Sequence, residues 1–380
     1  MNFAVIGAHN RGRIALLAHQ PDRGFTLAAL CGASPDGLEI YPETIGAPVP
    51  FTPDYREIVA DPAIGMVFVC SPDHLHAEHA CAALEAGKHV FLEKPMAISI
   101  SDCDRILDAQ SRSSARLYVG HNMRFFPSVQ IMHRLIAEGR IGQVEAIWCR
   151  HFISYGGDAY FKDWHSERAN SHGLLLQKGA HDIDIIHHLG GAYTRRVVGM
   201  GKLSVYDKIT NRRSASEPGC TRSEPPAWPP LSHTGVSPVI DIEDHSMLLL
   251  QLANGVQASY MQCHYSPDAH RNYTIIGTEG RIENHGDVSR PGQPATIHLW
   301  NQRVAYQAGG HEVFEAPVLE GHHGGADLLM IEDFLSFLTD GTTQGASPVA
   351  ARQAVATGYL GTNSLREGSV PYDVPMRVSR

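Results

Sequence analysis

Five short, mostly apolar runs constrain the first third of the chain. Residues 3–6, 25–31, 66–70, 89–92 and 116–119 each have the length of one strand, and residues 74–86 and 101–111 between them carry helical spacing. Strands separated by helices cannot close as tight hairpins. They need crossover connections, which give a parallel sheet with helices on both faces. A doubly wound α/β domain is therefore expected over residues 1–122, with its ligand site beyond the carboxyl ends of the strands.

The pattern changes after Asn122. A helix is predicted over 127–138, and 144–152, 197–205, 246–252, 256–262 and 273–276 read as strands. The run MLLLQLANGVQASYMQ has Asn254 and Gly255 at its centre, the dipeptide that a tight hairpin turn favours. An antiparallel sheet, and hence a second, α+β domain, is expected over 123–380. Within it, 207–239 is rich in Pro, Ser and Arg and reads as a long irregular loop. Strands 246–252 and 256–262 are apolar at nearly every position, whereas a sheet with one wet face alternates. The second apolar face needs a cover, so a homodimer or homotetramer joined sheet to sheet is expected.

The chain has 380 residues and a formal net charge of −9. That gives room for two domains and no basic footprint for nucleic acid. No apolar run approaches the ~18 residues of a membrane span. Residues 3–6 enter a strand at once, without the basic segment of a secretory leader. The seven cysteines are scattered, with no C-x-x-C, so a reducing cytoplasm is the expected compartment. His74, His76 and His79 lie close together, and His322 adjoins His323, but they complete no ligand motif, and no metal is expected.

After the first strand comes GAHNRG. Gly7 and Gly12 give the outline of G-x-G-x-x-G, in which a dinucleotide pyrophosphate rests on a helix N-terminus. The middle glycine, which normally lets the cofactor approach the backbone, is His9. The loop alone allows two readings: a modified cofactor loop whose His9 side chain turns outward, or a strand–helix unit that binds no nucleotide. Further on, Glu93, Lys94 and Pro95 stand at the carboxyl end of a strand, where such a sheet places its site.

The stretch DPAIGMVFVCSPDHLHAEHACAALEAGKHVFLEKPMAIS (61–99) closely resembles the Gfo/Idh/MocA family, that of glucose-fructose oxidoreductase and inositol dehydrogenase. NMRFFPS (122–128), EGRIGQVEA (138–146), GAHDIDIIHHLGG (179–191), YTIIGTEGRIEN (273–284) and HGGAD (323–327) extend the resemblance over nearly the whole chain. It implies a Rossmann-type domain followed by a domain with an open, mostly antiparallel sheet, whose face commonly forms the oligomer interface. It also implies hydride transfer between NAD or NADP and a hydroxyl or keto carbon of a sugar, glycoside or cyclitol. With the resemblance, residues 7–12 read as a working cofactor loop. The expected cofactor contacts are Gly7, His9, Asn10, Arg11, Gly12, Ser34, Ser71, Pro72, His76, Glu93, Lys94 and Asn122.

The resemblance puts a general acid/base at His181, and Lys94 and Asp184 complete the expected catalytic set. Many dehydrogenases of the family carry Asp four residues before that His. Here the position is Gln177, which cannot ionise, and Lys178 follows it. Gln177, His181, Asp184 and His188 share one helical stripe, with Ile183, Ile186 and Leu189 on the other side; His188 reads as a solvated position. Aromatic faces with polar tips suit sugar rings. The expected substrate contacts are Lys94, Arg124, Tyr155, Trp164, His165, Gln177, Lys178, His181 and His323, with Asp327 a further candidate.

Gly32 stands where NAD-preferring relatives carry an acid. Its presence admits a 2′-phosphate, with Ser34 or Arg11 to take it, and leaves NAD against NADP open. Two other functions stay open. One is an NAD-dependent glycoside-cleaving enzyme that oxidises a ring hydroxyl transiently, for which Gln177 and HGGAD speak. The other is a non-enzymatic regulator that senses dinucleotide or sugar, against which Lys94 and His181 speak.

Overall fold

The computed structural model describes residues 1–217, 219 and 227–377. Positions 218 and 220–226 of the expected 207–239 loop, Cys220 among them, lie outside the described residues. The chain divides into two compact units.

The first unit comprises residues 1–125 and 325–352. Its strands are β1 (Asn2–Ile6), β2 (Thr26–Cys31), β3 (Phe51–Thr52), β4 (Ile64–Val69), β5 (His89–Glu93) and β6 (Leu117–Gly120). They form one sheet in the order β3-β2-β1-β4-β5-β6, with every pair parallel. This is the doubly wound α/β sheet that strand–helix alternation predicts. The segment after β1 forms a 3₁₀ helix, Asn10–Ala18, where an α-helix is the usual partner of such a loop.

The return of 325–352 to the first unit differs from the sequence reading, which assigns it to the second domain. An aromatic row explains it. Phe3, Phe68, Phe91 and Tyr118 lie on neighbouring strands with successive ring centres 5.4, 4.9 and 5.8 Å apart. The helix Ala326–Asp340 sets Phe334 against three of them, at 5.7, 5.3 and 5.3 Å. Tyr118 also donates to Asp333 Oδ2 at 2.9 Å. The apolar row cannot be left wet, and this helix is its cover.

The second unit comprises residues 126–324 and 353–380. Its strands are β7 (Val144–Phe152), β8 (Thr194–Lys202), β9 (His245–Leu252), β10 (Gln257–Cys263), β11 (His270–Gly277), β12 (Arg281–His285), β13 (Thr296–Trp300), β14 (Glu312–Glu315) and β15 (Tyr372–Asp373). The sheet order is β14-β13-β12-β11-β7-β10-β9-β8-β15. The β7–β10 pair is parallel and the others are antiparallel. Gly255 turns the β9–β10 hairpin at φ +98°. Strands β12 to β14 are additions to the sequence reading. Part of the 207–239 loop is anchored: Ile209 and Val236 are buried with Phe161 and the preceding Tyr206, which stacks on Phe161 at 4.1 Å.

One face of this sheet is covered by the helix Gly179–Gly190, where a Cβ on Gly190 would meet Leu252 Cδ1 at 2.6 Å. On β9 and β10, Leu248, Leu250, Leu252 and Tyr260 are buried, while Met247, Leu249 and Met261 are exposed. Exposed Trp148 on β7 and Met200 on β8 extend the outward apolar set. Among the described residues no helix is long and apolar enough to cross a membrane.

Phe334 is fully buried, so Phe334→Ala should cost about 3–5 kcal/mol through lost burial and the cavity left behind. Urea unfolding checks this; a loss under ~1 kcal/mol would show that the helix does not hold the aromatic row.

Candidate active site

The carboxyl ends of β1, β4 and β5 carry most of the expected cofactor residues, while Ser34 follows β2 and Asn122 follows β6. Gly7 follows β1 at φ +88°, a conformation that disfavours any side chain. A Cβ on it would lie 2.3 Å from the Ser71 amide nitrogen, and one on Gly12 would lie 2.2 Å from the Gly7 carbonyl oxygen. His9 turns away from this tight loop: its Nε2 lies 2.9 Å from the Asp36 carbonyl oxygen, beyond the end of β2. The ring of His76 spans the Ser71 and Pro95 carbonyls, 2.8 Å from each, and so ties the loop after β4 to the loop after β5. His79 Nδ1 lies 2.9 Å from the Ser71 hydroxyl, and burial pulls the His79 pKa down to about 4.

Arg11 joins three segments. Its Nε donates to Glu93 Oε1 at 2.5 Å, and its Nη atoms donate to the two Asp327 oxygens at 2.5 and 2.9 Å. Glu93 Oε2 accepts from the Lys94 amide at 2.9 Å, and Asn122 Nδ2 donates to Asp327 Oδ1 at 2.9 Å. Burial opposes the Arg11 charge, but the two carboxylates outweigh it and raise its pKa. Lys94 itself is half-buried directly after β5.

These contacts correct two expectations. Glu93 closes β5, three positions from β2 in the sheet order. At ~4.8 Å per strand that is roughly 14 Å, so Arg11 is held far from a ribose 2′-phosphate at β2. Asp327, expected to bond sugar hydroxyls, is instead buried with both oxygens accepting from Arg11 and Asn122. The Ser34 hydroxyl is engaged too, donating to Asp36 Oδ2 at 2.7 Å. Asn122 Oδ1, in contrast, is buried without a hydrogen-bond partner. Such an orphaned acceptor points to a ligand donor.

In the second unit, the helix Gly179–Gly190 is buried nearly all round. His181, Asp182, Ile183 and Asp184 are all covered, while half-buried His188 stacks on His133 at 4.3 Å. The side chain that anchors it is one that the sequence reading passes over. Asp182 is fully buried, with Arg271 Nε at 2.8 Å, His151 Nδ1 at 3.0 Å and the Tyr273 hydroxyl at 2.5 Å. Burial pushes the Asp182 carboxyl up, but Arg271 and His151 outweigh it and hold it well below the usual carboxylate range. Removing one partner of such a buried pair typically costs ~3–5 kcal/mol. The signal for it lies in strand alternation: Arg271, Tyr273 and Ile275 occupy alternate positions of β11, so a charged residue shares their inward face.

The other expected residues are distributed as follows. Gln177 is buried with Oε1 unpartnered. Lys178 Nζ lies 3.4 Å from the hydroxyl oxygen of exposed Tyr155. Trp164 stacks on His165 at 3.7 Å, and His165 Nδ1 lies 2.5 Å from Asp163 Oδ1. His323 occupies an exposed turn of the second unit at φ +52°, and Arg124 lies half-buried in the first.

Three buried imidazoles make stability depend on pH. Burial lowers His79 to about 4; burial and then the Arg271 charge lower His151 to about 4; burial holds His264 well below its ordinary value. Between about pH 6.5 and 4 the unfolded chain therefore binds protons that the folded chain does not. Their contribution is complete above pH ~6.5 and is lost on acidification, at up to ~1.4 kcal/mol per pH unit for each histidine. Urea midpoints measured from pH 7.5 to 4.5 should fall steeply below 6.5; a flat profile down to pH 5 would contradict the buried neutral state.

Residues 1–121 match the family model described as the oxidoreductase family, NAD-binding Rossmann fold, and residues 133–374 match that of its C-terminal alpha/beta domain. The putative oxidoreductase YteT of Bacillus subtilis is 25% identical over 390 residues, covering 90% of this chain and 88% of its own. Levoglucosan dehydrogenase of Pseudarthrobacter phenanthrenivorans is 26% identical over 313 residues, covering 76% and 75%. A solved structure of levoglucosan dehydrogenase in complex with NADH and levoglucosan superposes with a TM-score of 0.78 at 21% identity, over 99% of this chain and 100% of that one. With both of its domains matched, the chain belongs to the Gfo/Idh/MocA oxidoreductase family, and its first domain is an NAD-binding Rossmann fold.

Proposed function

We propose that the chain is an NAD-dependent dehydrogenase of a sugar, glycoside or cyclitol, working in the cytoplasm as a homodimer or homotetramer. The observation that carries this reading is the loop formed by Gly7, Gly12 and Ser71, where no Cβ fits. The orphaned Asn122 oxygen supports it. Gly7, Asn10, Gly12, Ser71, Pro72 and His76 would hold the dinucleotide, which when bound supplies the hydride acceptor. The known activity of levoglucosan dehydrogenase, a relative along most of the chain, supports the substrate class.

Lys94 and His181 share the proton and the alkoxide charge in this reading. Glu93 fixes the Lys94 backbone, so the ammonium starts from a rigid strand end. An imidazole suits proton transfer near neutral pH, and Asp184, buried on the same helix, supports His181. Gln177 cannot serve as a base. Two features favour NAD over NADP: Arg11 is committed to Glu93 and Asp327, and the Asp36 carboxylate, bonded to Ser34 just beyond β2, opposes a 2′-phosphate. The outward apolar set of the second sheet supports assembly through a second copy of the chain, with closed symmetry.

Calorimetry should find NADH binding at least tenfold tighter than NADPH. Lys94→Ala should lower kcat by ~10²-fold or more on a panel of sugars and cyclitols while NADH affinity stays within about threefold. No binding of either cofactor at millimolar concentration would overturn the reading. Light scattering should show an oligomer that Leu249→Glu, a charge placed on the exposed apolar face, reduces to the 41.5 kDa chain; a monomeric wild type would refute the assembly.

A further inference from the structure

Tyr155 and Lys178 form a pair that the family resemblance does not explain. Tyr155 precedes the short helix Gly156–Tyr160, and Lys178 precedes the helix Gly179–Gly190. Lys178 Nζ lies 3.4 Å from the Tyr155 hydroxyl oxygen and 5.8 Å from its ring centre. The loop that carries Tyr155 has little freedom: a Cβ on Gly156 would lie 2.1 Å from the His264 carbonyl oxygen. A second phenol, Tyr160, faces the same ammonium but is buried, whereas Tyr155 is 44% exposed. Of the two, Tyr155 is the one open to a small molecule.

The electrostatics separate the same two phenols. The Lys178 charge lowers the Tyr155 pKa, with Arg271 adding to the effect and burial and Asp287 opposing it. Burial raises Tyr160 to about 12. The Lys178 ammonium in turn feels the charges of Tyr155, Tyr160, Arg271 and Asp182. Two like groups driven apart by their surroundings are the usual signature of a proton-transfer assignment. One residue away, Gln177 offers no acid.

We propose that Tyr155 is a second proton-transfer residue of the reaction, with Lys178 as its positioning residue. This rests on the dehydrogenase reading. In oxidation the substrate C–H bond breaks and its hydrogen leaves with both electrons, as hydride, for the oxidised nicotinamide. The O–H bond breaks with its proton going by way of His181 to the Tyr155 phenolate oxygen, and the carbon–oxygen double bond forms. The phenol then gives the proton to water at its exposed oxygen. In reduction the proton runs the same path in reverse, from Tyr155 by way of His181 to the carbonyl oxygen.

The test has two arms. Ultraviolet titration of the intact protein without substrate follows phenolate absorbance of its 13 tyrosines. One phenolate should appear below pH 10, vanish in Tyr155→Phe and move to higher pH in Lys178→Gln, with circular dichroism confirming that both variants are folded. Turnover on whichever panel substrate the wild type oxidises should fall ~10²-fold in kcat for Tyr155→Phe, with KM within threefold. No early phenolate, or wild-type kcat in Tyr155→Phe, overturns the proposal. The titration needs no substrate, so a wild type that oxidised nothing would sink the proposed function, while the presence or absence of the early phenolate would still decide whether Lys178 activates Tyr155.

Discussion

The first unit depends on one guanidinium held between two buried carboxylates. Arg11 comes from the loop after β1, Glu93 from the end of β5 and Asp327 from the start of the helix Ala326–Asp340. Their bonds fix three distant segments of sequence around the carboxyl ends of the sheet. The carboxylates could not be buried without the arginine, and the arginine could not be held there without them. Because Glu93 also accepts from the Lys94 amide, the same ion pair reaches the residue given the central chemical role. The aromatic row under Phe334 supplies the apolar counterpart, bringing Asp327 to Arg11 by docking the helix that carries it.

A second buried charge organises the other unit. Asp182 lies on the helix of His181 and is met from the sheet by Arg271, His151 and Tyr273. The helix is thereby fixed in rotation about its axis, and the direction in which His181 projects follows from that. The two units use one device, a buried ion pair next to a residue assigned to chemistry, on unrelated scaffolds.

Much of this is legible from sequence because periodicity reports burial. Strand–helix alternation yields the parallel sheet, and Asn254 with Gly255 yields the β9–β10 hairpin. What periodicity does not report is the partner of a charge. Arg11 reads as a phosphate ligand because it sits in a cofactor loop; its partner Asp327 is 316 residues away. Asp182 is hard to tell from Asp184 because both lie in the same helical motif; what marks Asp182 is its contacts with Arg271, His151 and Tyr273 on the sheet. Strands β12 and β14 escape a sequence reading because their residues, RIENH and EVFE, are too polar to stand out. His9 is ambiguous in the sequence for a similar reason: its effect depends on the direction of one side chain, which Asp36 determines.

At the centre of the proposed chemistry is the movement of hydride between a carbinol carbon and NAD. The most direct measurement uses a substrate deuterated at the carbon that is oxidised, with mass spectrometry of the recovered cofactor. One deuterium on the nicotinamide ring is expected, with a matching yield of free carbonyl product. Cofactor recovered without deuterium, with the label retained or exchanged into the sugar, would contradict hydride transfer.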